Sequence, residues 1–452
     1  MFAYKGDLAM PKKKTALTIE ERLQQALVPA EEQPYEVPEN WVWVRLIGNV
    51  NSCLDGYRKP INSSERAKRV GKVPYYGATG QVGWIDDYLT NEHLVLLGED
   101  GAPFLDLLKD KAYIIFGEAW VNNHAHILKS YFGEIGNVFL MHYLNMVDYK
   151  DYVKGTTRLK LTQGSMQLMP FPLPPLSEQQ RIVERIEELF AKLDEAKERL
   201  QEVADSFAVR KAAILHKAFT GELTKQWRLE NGVSDESWEE KKLGEICKIG
   251  SGGTPSRKHA EYYNGNIPWI KTGELAWNVI TEAEEYITEE AVLNSSAKMH
   301  CAGSVLVAMY GQGLTRGKAA ILGINATTNQ AVCSLKPLEL LMSEFLFYYF
   351  MKNYWQFREE AVGGNQPNYS AKMISSWIIS LPTLPEQHEI VRLIDDLLAR
   401  ERAAQQATEQ ALASIDLMKK SILARAFRGE LGTNKASEAS ALELLKQVLA
   451  EN

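Results

Sequence analysis

A cluster of basic side chains lies early in the chain. Between Tyr57 and Tyr76 the only acidic residue is Glu65, and the basic residues are Arg58, Lys59, Arg66, Lys68, Arg69 and Lys72. Guanidinium and ammonium groups neutralise phosphates, so such a run is typical of a surface that contacts nucleic acid. A solvated loop would contain the same lysines, and the run alone does not decide between the two.

Two glycine-rich segments contain further residues of this kind. Residues 75–80 read YYGATG, and residues 250–258 read GSGGTPSRK. Glycine lets a backbone approach a partner closely, while Arg, Lys, Asn and Ser side chains reach base edges and phosphates. For either segment taken singly, an ordinary turn is the simpler interpretation.

The motifs of the obvious catalytic sites are missing from the sequence. There is no Asn/Asp-Pro-Pro-Tyr motif of an adenine methyltransferase and no Pro-Asp dipeptide of a common nuclease site. The pair Gly317-Lys318 is followed by Ala319, where a P-loop needs Ser or Thr. His124 and His126 could ligate a metal, but no third ligand has a clear spacing to them, so a packing or hydrogen-bonding role is favoured. We therefore expect no catalytic residue and no metal site.

Charge and composition limit the class of protein further. The net charge of −7 is unusual for a DNA-binding chain, so its basic residues must be segregated or its partners must supply backbone contacts. The first dozen residues contain no apolar signal segment, and no apolar run approaches the roughly 18 residues that span a bilayer. The cysteines form no CxxC pair, which fits buried thiols and a cytoplasmic location. They are Cys53, Cys247, Cys301 and Cys333.

The chain contains an internal duplication. Residues 173–183 (LPPLSEQQRIV) return as residues 381–391 (LPTLPEQHEIV), and residues 218–223 (AFTGEL) return as residues 426–431 (AFRGEL). Both blocks are displaced by the same 208 residues, so no insertion separates them. The sequence therefore predicts two copies of a variable domain followed by a helix.

Each copy contains a long helix with a heptad pattern. Apolar residues at alternating spacings of four and three define a coiled-coil seam. The seam residues of the first copy are Ile182, Ile186, Leu189, Leu193, Ala196, Leu200, Val203, Phe207 and Ile214, interrupted only by Arg210. Those of the second copy are Ile390, Ile394, Leu397, Ala404, Ala411, Ile415, Met418 and Ile422, with interruptions at Glu401 and Thr408. Ser177 with Gln180 predicts a capping box at the first start. Pro385 fits the first turn of the second helix, and Gly221 and Gly429 are expected to end the helices.

The lengths of these segments favour antiparallel pairing within one chain. A helix of about 40 residues spans roughly 60 Å, and the linker of residues 221–237 would need nearly full extension to return along it. The second domain is thus expected at the far end of the first helix, with the second helix running back along the first. A coiled coil between two chains is the alternative, but the internal duplication favours pairing within the chain.

The sequence predicts an α+β fold with two globular domains, two long antiparallel helices in an intrachain coiled coil, and a pseudo-two-fold internal repeat. Short strands are predicted at residues 94–97, 113–116, 304–308 and 319–322, and a buried helix at residues 345–351. The predicted segments are an N-terminal extension with a short helix (1–40), the first domain (41–176), the first helix (177–220), a linker (221–237), the second domain (238–384), the second helix (385–428) and a C-terminal tail with a short helix (429–452).

Nearly the whole chain resembles the specificity subunits of type I restriction–modification enzymes. The Leu-Pro-Pro-Leu-Ser-Glu-Gln start and the Ala-Phe-x-Gly-Glu-Leu end of the helices are specific in combination. Residues 224–228 (TKQWR), 252–256 (GGTPS) and 267–270 (IPWI) continue the likeness. One departure is that Gly432-Thr433 follows the second ending, without the Trp-Arg continuation.

This resemblance implies a DNA reader that is not itself an enzyme. Each globular domain would be a target-recognition domain for one half of a split, asymmetric sequence, with the halves about one helical turn apart. The chain would assemble with two methyltransferase (modification) subunits and, for cleavage, with restriction/translocase subunits. The cofactors S-adenosylmethionine, ATP and Mg would bind to those partners, and none to this chain. Extrusion of the target adenine would also be the partner's task.

Candidate DNA contacts are chosen from the basic and glycine-rich segments. They are Arg58, Lys59, Arg69, Lys72, Tyr75 and Tyr76 in the first domain and Thr254, Ser256, Arg257, Lys258, Lys271 and Arg316 in the second.

Two other functions are compatible with the sequence. One is a coiled-coil scaffold whose two heads bind proteins, and the other is an autonomous nuclease–methylase. Sequence-selective DNA retention together with a methyltransferase partner would exclude the scaffold. Methyl transfer by the isolated chain would support the enzyme, and none is expected.

Overall fold

The computed structural model of the chain describes residues 18–311, 313–360 and 368–451. These residues fall into two units. Unit 1 comprises the chain up to Gln201 together with the chain from Gln410 onward, and unit 2 is Glu202–Glu409. Residues 1–17, which belong to the predicted N-terminal extension, lie outside the described residues.

The α-helices of the described residues range from 4 to 44 residues in length. They are α1 (Ile19–Ala26), α2 (Ser63–Arg66), α3 (Gly133–Met146), α4 (Gln163–Leu168), α5 (Leu176–Phe219), α6 (Lys225–Asn231), α7 (Leu243–Ile246), α8 (Glu289–Leu293), α9 (Ser343–Glu360), α10 (Ala371–Ser376), α11 (Leu384–Ala426) and α12 (Ala441–Glu451).

The strands alternate with these helices along the chain. Those of unit 1 are β1 (Val42–Arg45), β2 (Asn51–Cys53), β3 (Val73–Gly77), β4 (Gly80–Ile85), β5 (Thr90–Asn91), β6 (Leu94–Gly98), β7 (Ala112–Ile115), β8 (Glu118–Val121), β9 (Ala125–Ser130), β10 (Val153–Lys154), β11 (Lys160–Leu161) and β12 (Pro170–Leu173). Those of unit 2 are β13 (Glu239–Lys242), β14 (Cys247–Ser251), β15 (Tyr263–Ile270), β16 (Val279–Ile280), β17 (Tyr286–Ile287), β18 (Met299–His300), β19 (Val305–Ala308), β20 (Ala319–Leu322), β21 (Ala326–Thr328), β22 (Val332–Pro337) and β23 (Ile378–Leu381).

Unit 1 contains two four-stranded sheets and the two-stranded sheets β1-β12 and β10-β11. One four-stranded sheet has the strand order β2-β9-β6-β7, and the other has the order β4-β3-β8-β5 with β3 parallel to β8. Strand β6 is buried along its whole length, and its sequence LVLLG shows no polar alternation. This pattern is typical of a central strand that is covered on both faces. Helix α3 packs against β6, β7 and β9.

Unit 2 repeats this topology. Its sheets have the orders β14-β22-β19-β20-β16 and β17-β15-β21-β18, and β15 is parallel to β21 as β3 is to β8. Apart from the added edge strand β16, the strand orders of the two units correspond. The duplication seen in the sequence is therefore present in the fold, and the α+β class is confirmed. The four strands and the buried helix predicted from the sequence are present as β6, β7, β19, β20 and α9.

The long helices α5 and α11 pair antiparallel in each unit. In unit 1, Asp194 binds Lys419 at 2.6 Å and Lys197 binds Asp416 at 3.1 Å. Residue numbers thus rise along one helix as they fall along the other. In unit 2, Arg210 of α5 binds Glu401 of α11 at 2.9 Å. The intrachain antiparallel coiled coil is confirmed.

Most residues of the predicted seam are removed from solvent. Ile182, Ile186, Phe207, Ile390, Ile394 and Ile415 are buried, and Leu189, Leu193, Leu200, Ile214, Leu397 and Ile422 are half-buried. Val203 and Met418 are 40 % and 50 % exposed and Ala404 is also exposed, so their assignment to the seam was wrong. Thr408, which was expected to interrupt the seam, is buried. A straight α-helix drifts by about 20° per heptad from a strict 3.5-residue repeat. A fixed spacing therefore leaves the contact face as the helix proceeds.

Three of the four helix-end signals predicted from the sequence are present in the fold. Pro385 lies in the first turn of α11, and Gly221 and Gly429 follow the helices with φ of +76° and +73°, which only glycine adopts readily. The capping box of Ser177 and Gln180 is absent. Helix α5 begins one residue earlier, and the Gln180 amide donates to the Glu184 carboxylate at 3.0 Å instead of reaching back.

A buried glutamate stands at the start of each long helix. In unit 1 the fully buried Glu178 accepts hydrogen bonds from Trp41 Nε1 and Asn434 Nδ2, both at 2.8 Å. Trp41 precedes strand β1, and Asn434 follows the AFRGEL ending of α11. Burial raises the pKa of Glu178, although both hydrogen bonds act against the rise.

Unit 2 contains the matching arrangement. The fully buried Glu386 accepts hydrogen bonds from Thr224 Oγ1 and Arg228 Nη1, both at 2.7 Å. Thr224 directly follows the AFTGEL ending of α5. In each unit the glutamate of one helix start is thus held by residues that follow the end of the other helix. This explains why the two repeated motifs occur together.

The two termini of the described chain also meet in unit 1, where α12 packs against α1. Among the helices of the described residues, none combines the length and the apolar character needed to cross a membrane. The segment boundaries drawn from the sequence stay a prediction.

We predict that Glu178→Ala destabilises the protein by about 2–4 kcal/mol, because two buried donors lose their acceptor. Glu178→Gln keeps an acceptor oxygen and should cost much less. Urea unfolding at neutral pH measures both variants. Glu184→Ala, an exposed glutamate of the same helix, is the matched control, and an equal loss in E178A and E184A would contradict the assigned role.

Candidate nucleic-acid interface

A buried tryptophan holds the basic segment of unit 1 against the sheet. Trp120 of β8 is 2 % exposed, and its indole N–H donates to the carbonyl oxygen of Lys59 at 2.8 Å. The guanidinium of Arg69 lies 4.6 Å from the Trp120 ring centroid, and Lys59 Nζ lies 5.9 Å from it. Cations over an aromatic face are attracted by its quadrupole. The basic segment is therefore fixed at both its main chain and its side chains.

Unit 2 holds its glycine-rich segment in the same way. Trp269 of β15 is also 2 % exposed, and its indole N–H donates to the carbonyl oxygen of Gly253 at 3.0 Å. The Arg257 guanidinium lies 4.2 Å from the Tyr263 ring and 5.2 Å from the Trp269 ring. In the strand order, β15 corresponds to β3 and not to β8. The two units therefore reach this arrangement from different strands.

The stacked arginines are also paired with carboxylates. Arg69 binds Asp86 at 2.6 Å, and Arg257 contacts both carboxylate oxygens of Glu285. Lys271 reaches the same Glu285 at 3.6 Å, so two candidate residues of unit 2 meet there. The hydrogen bond from Arg257 lowers the pKa of Glu285. These pairs orient the guanidinium groups and compensate their charge in the free chain.

The other exposed residues that were predicted to contact DNA lie in the basic segment of unit 1 and the glycine-rich segment of unit 2. Lys59 and Lys72 are exposed in unit 1, and Thr254, Ser256 and Lys258 are exposed in the segment that contains Arg257. Thr254 donates its hydroxyl hydrogen to the Gln330 side chain. Arg316 lies on a different loop, where it donates to the Arg358 carbonyl oxygen at 3.3 Å and lies 5.9 Å from the Tyr369 ring.

The structure contradicts Tyr75 as a DNA contact. Its side chain is 2 % exposed, because alternation along β3 directs it into the core, where it pairs in register with Trp120. Its neighbour Tyr76 is half-buried, with its ring 6.0 Å from that of Tyr113. Arg58 is also turned inward, where it pairs with Asp55 at 2.9 Å and with Glu99.

The two histidines of the HxH pair do not converge on one point. His124 Nδ1 lies 2.6 Å from Asp100, whereas the buried His126 contacts Asp55 through Nδ1 at 2.6 Å and the Leu161 carbonyl oxygen through Nε2 at 2.9 Å. Both ring nitrogens of His126 are therefore occupied by oxygen partners within the fold.

These contacts of His126 bear on the one metal-like group found among the described residues. That group is Cys53, Asp55 and His126, with ligand atoms within 4.8 Å of one another. Burial, with a further contribution from Asp55, raises the pKa of Cys53 to about 12. A metal site needs a thiolate and an imidazole nitrogen that is free to bind, so these residues fit an internal hydrogen-bond network instead.

Comparison with known proteins gives the chain a family. The model of the type I restriction modification DNA specificity domain matches twice, at residues 38–205 and 235–412. The chain belongs to this DNA specificity family. Among its relatives, a type I restriction enzyme specificity subunit of Haemophilus influenzae is 27% identical, over 77% of this chain and 86% of that protein. The EcoDI specificity subunit of Escherichia coli is 23% identical, over 92% of this chain and 96% of that protein.

Solved structures support the fold of this specificity subunit. A chain of a type I restriction–modification system superposes with a TM-score of 0.64 at 19% identity, covering 88% of this chain and 100% of that one. The HsdS subunit of Thermoanaerobacter tengcongensis superposes with a TM-score of 0.59, also at 19% identity, with the same coverage. At this level of identity the likeness concerns the fold alone.

A basic hairpin of the specificity subunit was missed by the sequence analysis. Strands β10 and β11 are two residues each and frame a turn with exposed Thr156, Thr157 and Arg158. Arg158 binds Asp100 at 2.9 Å, and Lys160 binds Glu99 at 2.8 Å. Strands this short show no periodic signal. Only the composition of residues 154–160 (KGTTRLK) could have indicated the hairpin.

We predict that Arg257→Ala weakens DNA binding to all sequences and reduces the slope of log affinity against log salt by about 0.9, as expected for the loss of one phosphate contact. Arg257 is chosen because its side chain is 57% exposed. Binding should be measured on the purified chain over a range of salt concentrations. Arg199→Ala, an exposed arginine of α5, is the control. If R257A relaxes the preference at one base position instead, Arg257 reads a base.

Two carboxyl groups in the hydrogen-bond network around His126, Asp55 and Glu99, make the stability of the fold depend on pH. Burial alone would raise the pKa of Asp55, but the hydrogen bonds from His126 and the Ile127 backbone outweigh it, and the pKa is lowered. The pKa of Glu99 is lowered in the same way, with Lys160 and Arg58 outweighing burial. A carboxyl with a lowered pKa stabilises the fold above its ordinary pKa and loses that contribution as pH falls.

Asp55→Asn should therefore reduce stability at pH 7 by about 1–3 kcal/mol and make the further loss below about pH 5 less steep than in the wild type. Urea midpoints across this pH range measure the effect. Asp151→Asn, an exposed aspartate of unit 1, should leave the pH profile unchanged. Parallel profiles for wild type and D55N would show that Asp55 does not provide the acid sensitivity.

Proposed function

We propose that the chain is the non-catalytic subunit that selects the DNA sequence of a type I restriction–modification complex, and that each unit reads one half of a split, asymmetric site. The observation behind this proposal is the duplicated fold with unlike surfaces. Both units have corresponding sheets and a tryptophan-held segment, yet the exposed residues of the two segments differ. Two readers of this kind on one chain suit a site with two different halves.

The paired helices would set the spacing between the halves of the site. DNA presents the same groove again after one helical turn, so the two halves are expected about 10 base pairs apart or a multiple of this. The ion pairs between α5 and α11 and the buried seam support a stiff spacer.

The partners follow from the same duplication. Corresponding surfaces on the two units would bind two methyltransferase subunits, and restriction/translocase subunits would join them for cleavage. S-adenosylmethionine, ATP and Mg would bind to those partners, which would also extrude the target adenine. The chain is expected to work in the cytoplasm, where Cys247 and Cys333 would stay reduced as the buried free thiols that they are in the fold.

Methylome sequencing of cells that express the chain with its methyltransferase partner tests this proposal. We expect N6-methyladenine in one split, asymmetric motif. Methylation should disappear when either protein is expressed alone, because one lacks the catalytic site and the other lacks the reader. A double variant R69A/R257A should lower the methylated fraction of that motif, and R199A should not. Methylation of a continuous motif, or of the same motif without the chain, would contradict the proposal.

A further inference from the structure

An aspartate of unit 1 contacts two side chains that come from distant parts of the chain. Asp100, which follows β6, lies 2.6 Å from His124 Nδ1 and 2.9 Å from Arg158 Nη2, and both contacts use the same carboxylate oxygen. His124 directly precedes β9, and Arg158 lies in the turn of the basic hairpin. We call these three residues the Asp100 cluster.

The guanidinium of Arg158 also packs against the backbone of Gly101. A Cβ at residue 101 would lie 3.5 Å from Arg158 Nη2 and 3.6 Å from Arg158 Nε. Gly101 has a φ of +74°, a conformation that residues with a side chain rarely adopt. An arginine that is held by an ion pair and by packing loses less side-chain freedom when it binds a ligand. Arg158 is therefore positioned before any partner arrives.

The charged groups around the cluster differ in their exposure to solvent. The side chain of Asp100 is 19% exposed, whereas that of Arg158 is 60% exposed. The neighbouring pair is similar, because Glu99 is 11% exposed and its partner Lys160 is 51% exposed. The inward-facing charges beneath these pairs are Arg58, Asp55 and His126. The carboxylates are thus mostly covered, and the cations that they hold face the solvent.

Two backbone hydrogen bonds fix the place of the cluster in unit 1. The amide of Glu99 donates to the carbonyl oxygen of His124 at 2.8 Å, which joins the end of β6 to the start of β9. The amide of Leu161 in turn donates to the carbonyl oxygen of Glu99 at 2.8 Å, which joins the basic hairpin to the same point. These bonds do not depend on the side chains of the cluster.

Unit 2 repeats this backbone frame with other side chains. The amide of Met309 donates to the carbonyl oxygen of Ala331 at 2.9 Å, and the amide of Tyr369 donates to that of Met309 at 3.2 Å. Ala331 therefore occupies the position of the histidine of the Asp100 cluster, and Tyr310 occupies the position of its aspartate. The frame is shared by the two units, but the side chains that it presents to the solvent differ.

We propose that Arg158 reads a guanine in the half of the DNA site that unit 1 recognises, with Asp100 as the residue that positions it. Guanine presents two acceptors, N7 and O6, in the major groove, and arginine binds both at once. Each terminal nitrogen of a guanidinium has two hydrogens, so the bond from Nη2 to Asp100 leaves donors on both terminal nitrogens. The inference rests on the proposed function, because it names a base-reading residue of the same unit.

A base edge suits this arrangement better than a phosphate does. The carboxylate of Asp100 reduces the attraction between Arg158 and a phosphate, whereas an uncharged base requires donors in a fixed geometry. The different residues of unit 2 at this place, Tyr310 and Ala331, also agree with two half-sites of unlike sequence.

Arg158→Lys tests this inference, because lysine keeps the positive charge but lacks the planar pair of donors. The full chain is expressed with its methyltransferase partner, and the methylome gives the motif. We expect the R158K motif to stay split, with one half unchanged, while the preference for one G·C pair in the other half falls by about ten-fold or more. Asp100→Ala should relax the same position, because Arg158 keeps its charge but loses its ion pair.

Arg199→Lys, which changes an exposed arginine of α5 in the same way, is the matched control and should leave the motif unchanged. Thermal unfolding checks that each variant folds, and a loss of fold would lower methylation at every site without relaxing a single position.

Two results would overturn the inference while the proposed function stands. One is an R158K motif identical to that of the wild type, together with an Arg158→Ala variant that lowers methylation equally at all sites, because Arg158 would then contact phosphate. The other is an unchanged motif and methylated fraction in both variants. If the wild-type chain gives no split motif, the proposed function itself fails.

Discussion

A carboxylate without access to water begins each long helix, and its hydrogen bonds determine how the two helices are aligned. An unpaired buried carboxylate costs several kcal/mol, so the donors around it are a strict requirement. Trp41 and Asn434 meet Glu178 in unit 1, and Thr224 and Arg228 meet Glu386 in unit 2. A slip of one turn, about 5.4 Å, would separate each carboxylate from these donors. The start motif of one helix and the end motif of the other therefore depend on each other.

The acidic and basic residues of the chain are concentrated in different elements of the fold. Acidic residues concentrate in the long helices, as in residues 184–202, where they pair with lysines and arginines of the same or the opposite helix. The basic segments lie instead on the sheets, where Trp120 and Trp269 each bind a main-chain carbonyl oxygen and lie under an arginine. Because Asp86 and Glu285 already pair with those arginines, binding of a phosphate must replace or share an existing ion pair. Such an exchange lowers the free energy gained from each phosphate contact. Binding therefore depends more on the fixed positions of the arginines than on long-range attraction between charges.

The sequence revealed those parts of the fold that depend on local pattern or on repetition. The 208-residue repeat, the two long helices, the glycine ends at Gly221 and Gly429, and the apolar strand at residues 94–97 all belong to this group. The adjacent pair Tyr75-Tyr76 shows the limit of this approach. Alternation requires that one of the two faces the core, but only the pairing of β3 with β8 decides which.

The parts that the sequence did not reveal depend on residues that are distant along the chain. The network of Asp55, His126 and Leu161 joins three separate segments, and both ring nitrogens of His126 meet their partners only in the folded chain. The hydrogen bond from Trp120 to Lys59 also joins distant segments. So do the ion pairs of the basic hairpin, from Arg158 to Asp100 and from Lys160 to Glu99. No spacing rule connects such positions, because tertiary packing brings them together.

Because the chain contains two copies of one fold, equivalent positions can be compared within it. Many positions at which both copies keep the same residue, such as Glu178 and Glu386 or Ala218 and Ala426, are buried and support the frame. Where the two copies have different residues at exposed positions, packing does not constrain the residue type. Unit 1 joins the long helices by Asp194 and Lys419, whereas unit 2 has Arg402 and Lys211 at these positions and forms its ion pair one residue earlier on each helix, between Glu401 and Arg210. The surface of the helix pair can therefore differ between the two copies while the buried glutamates keep the helices aligned.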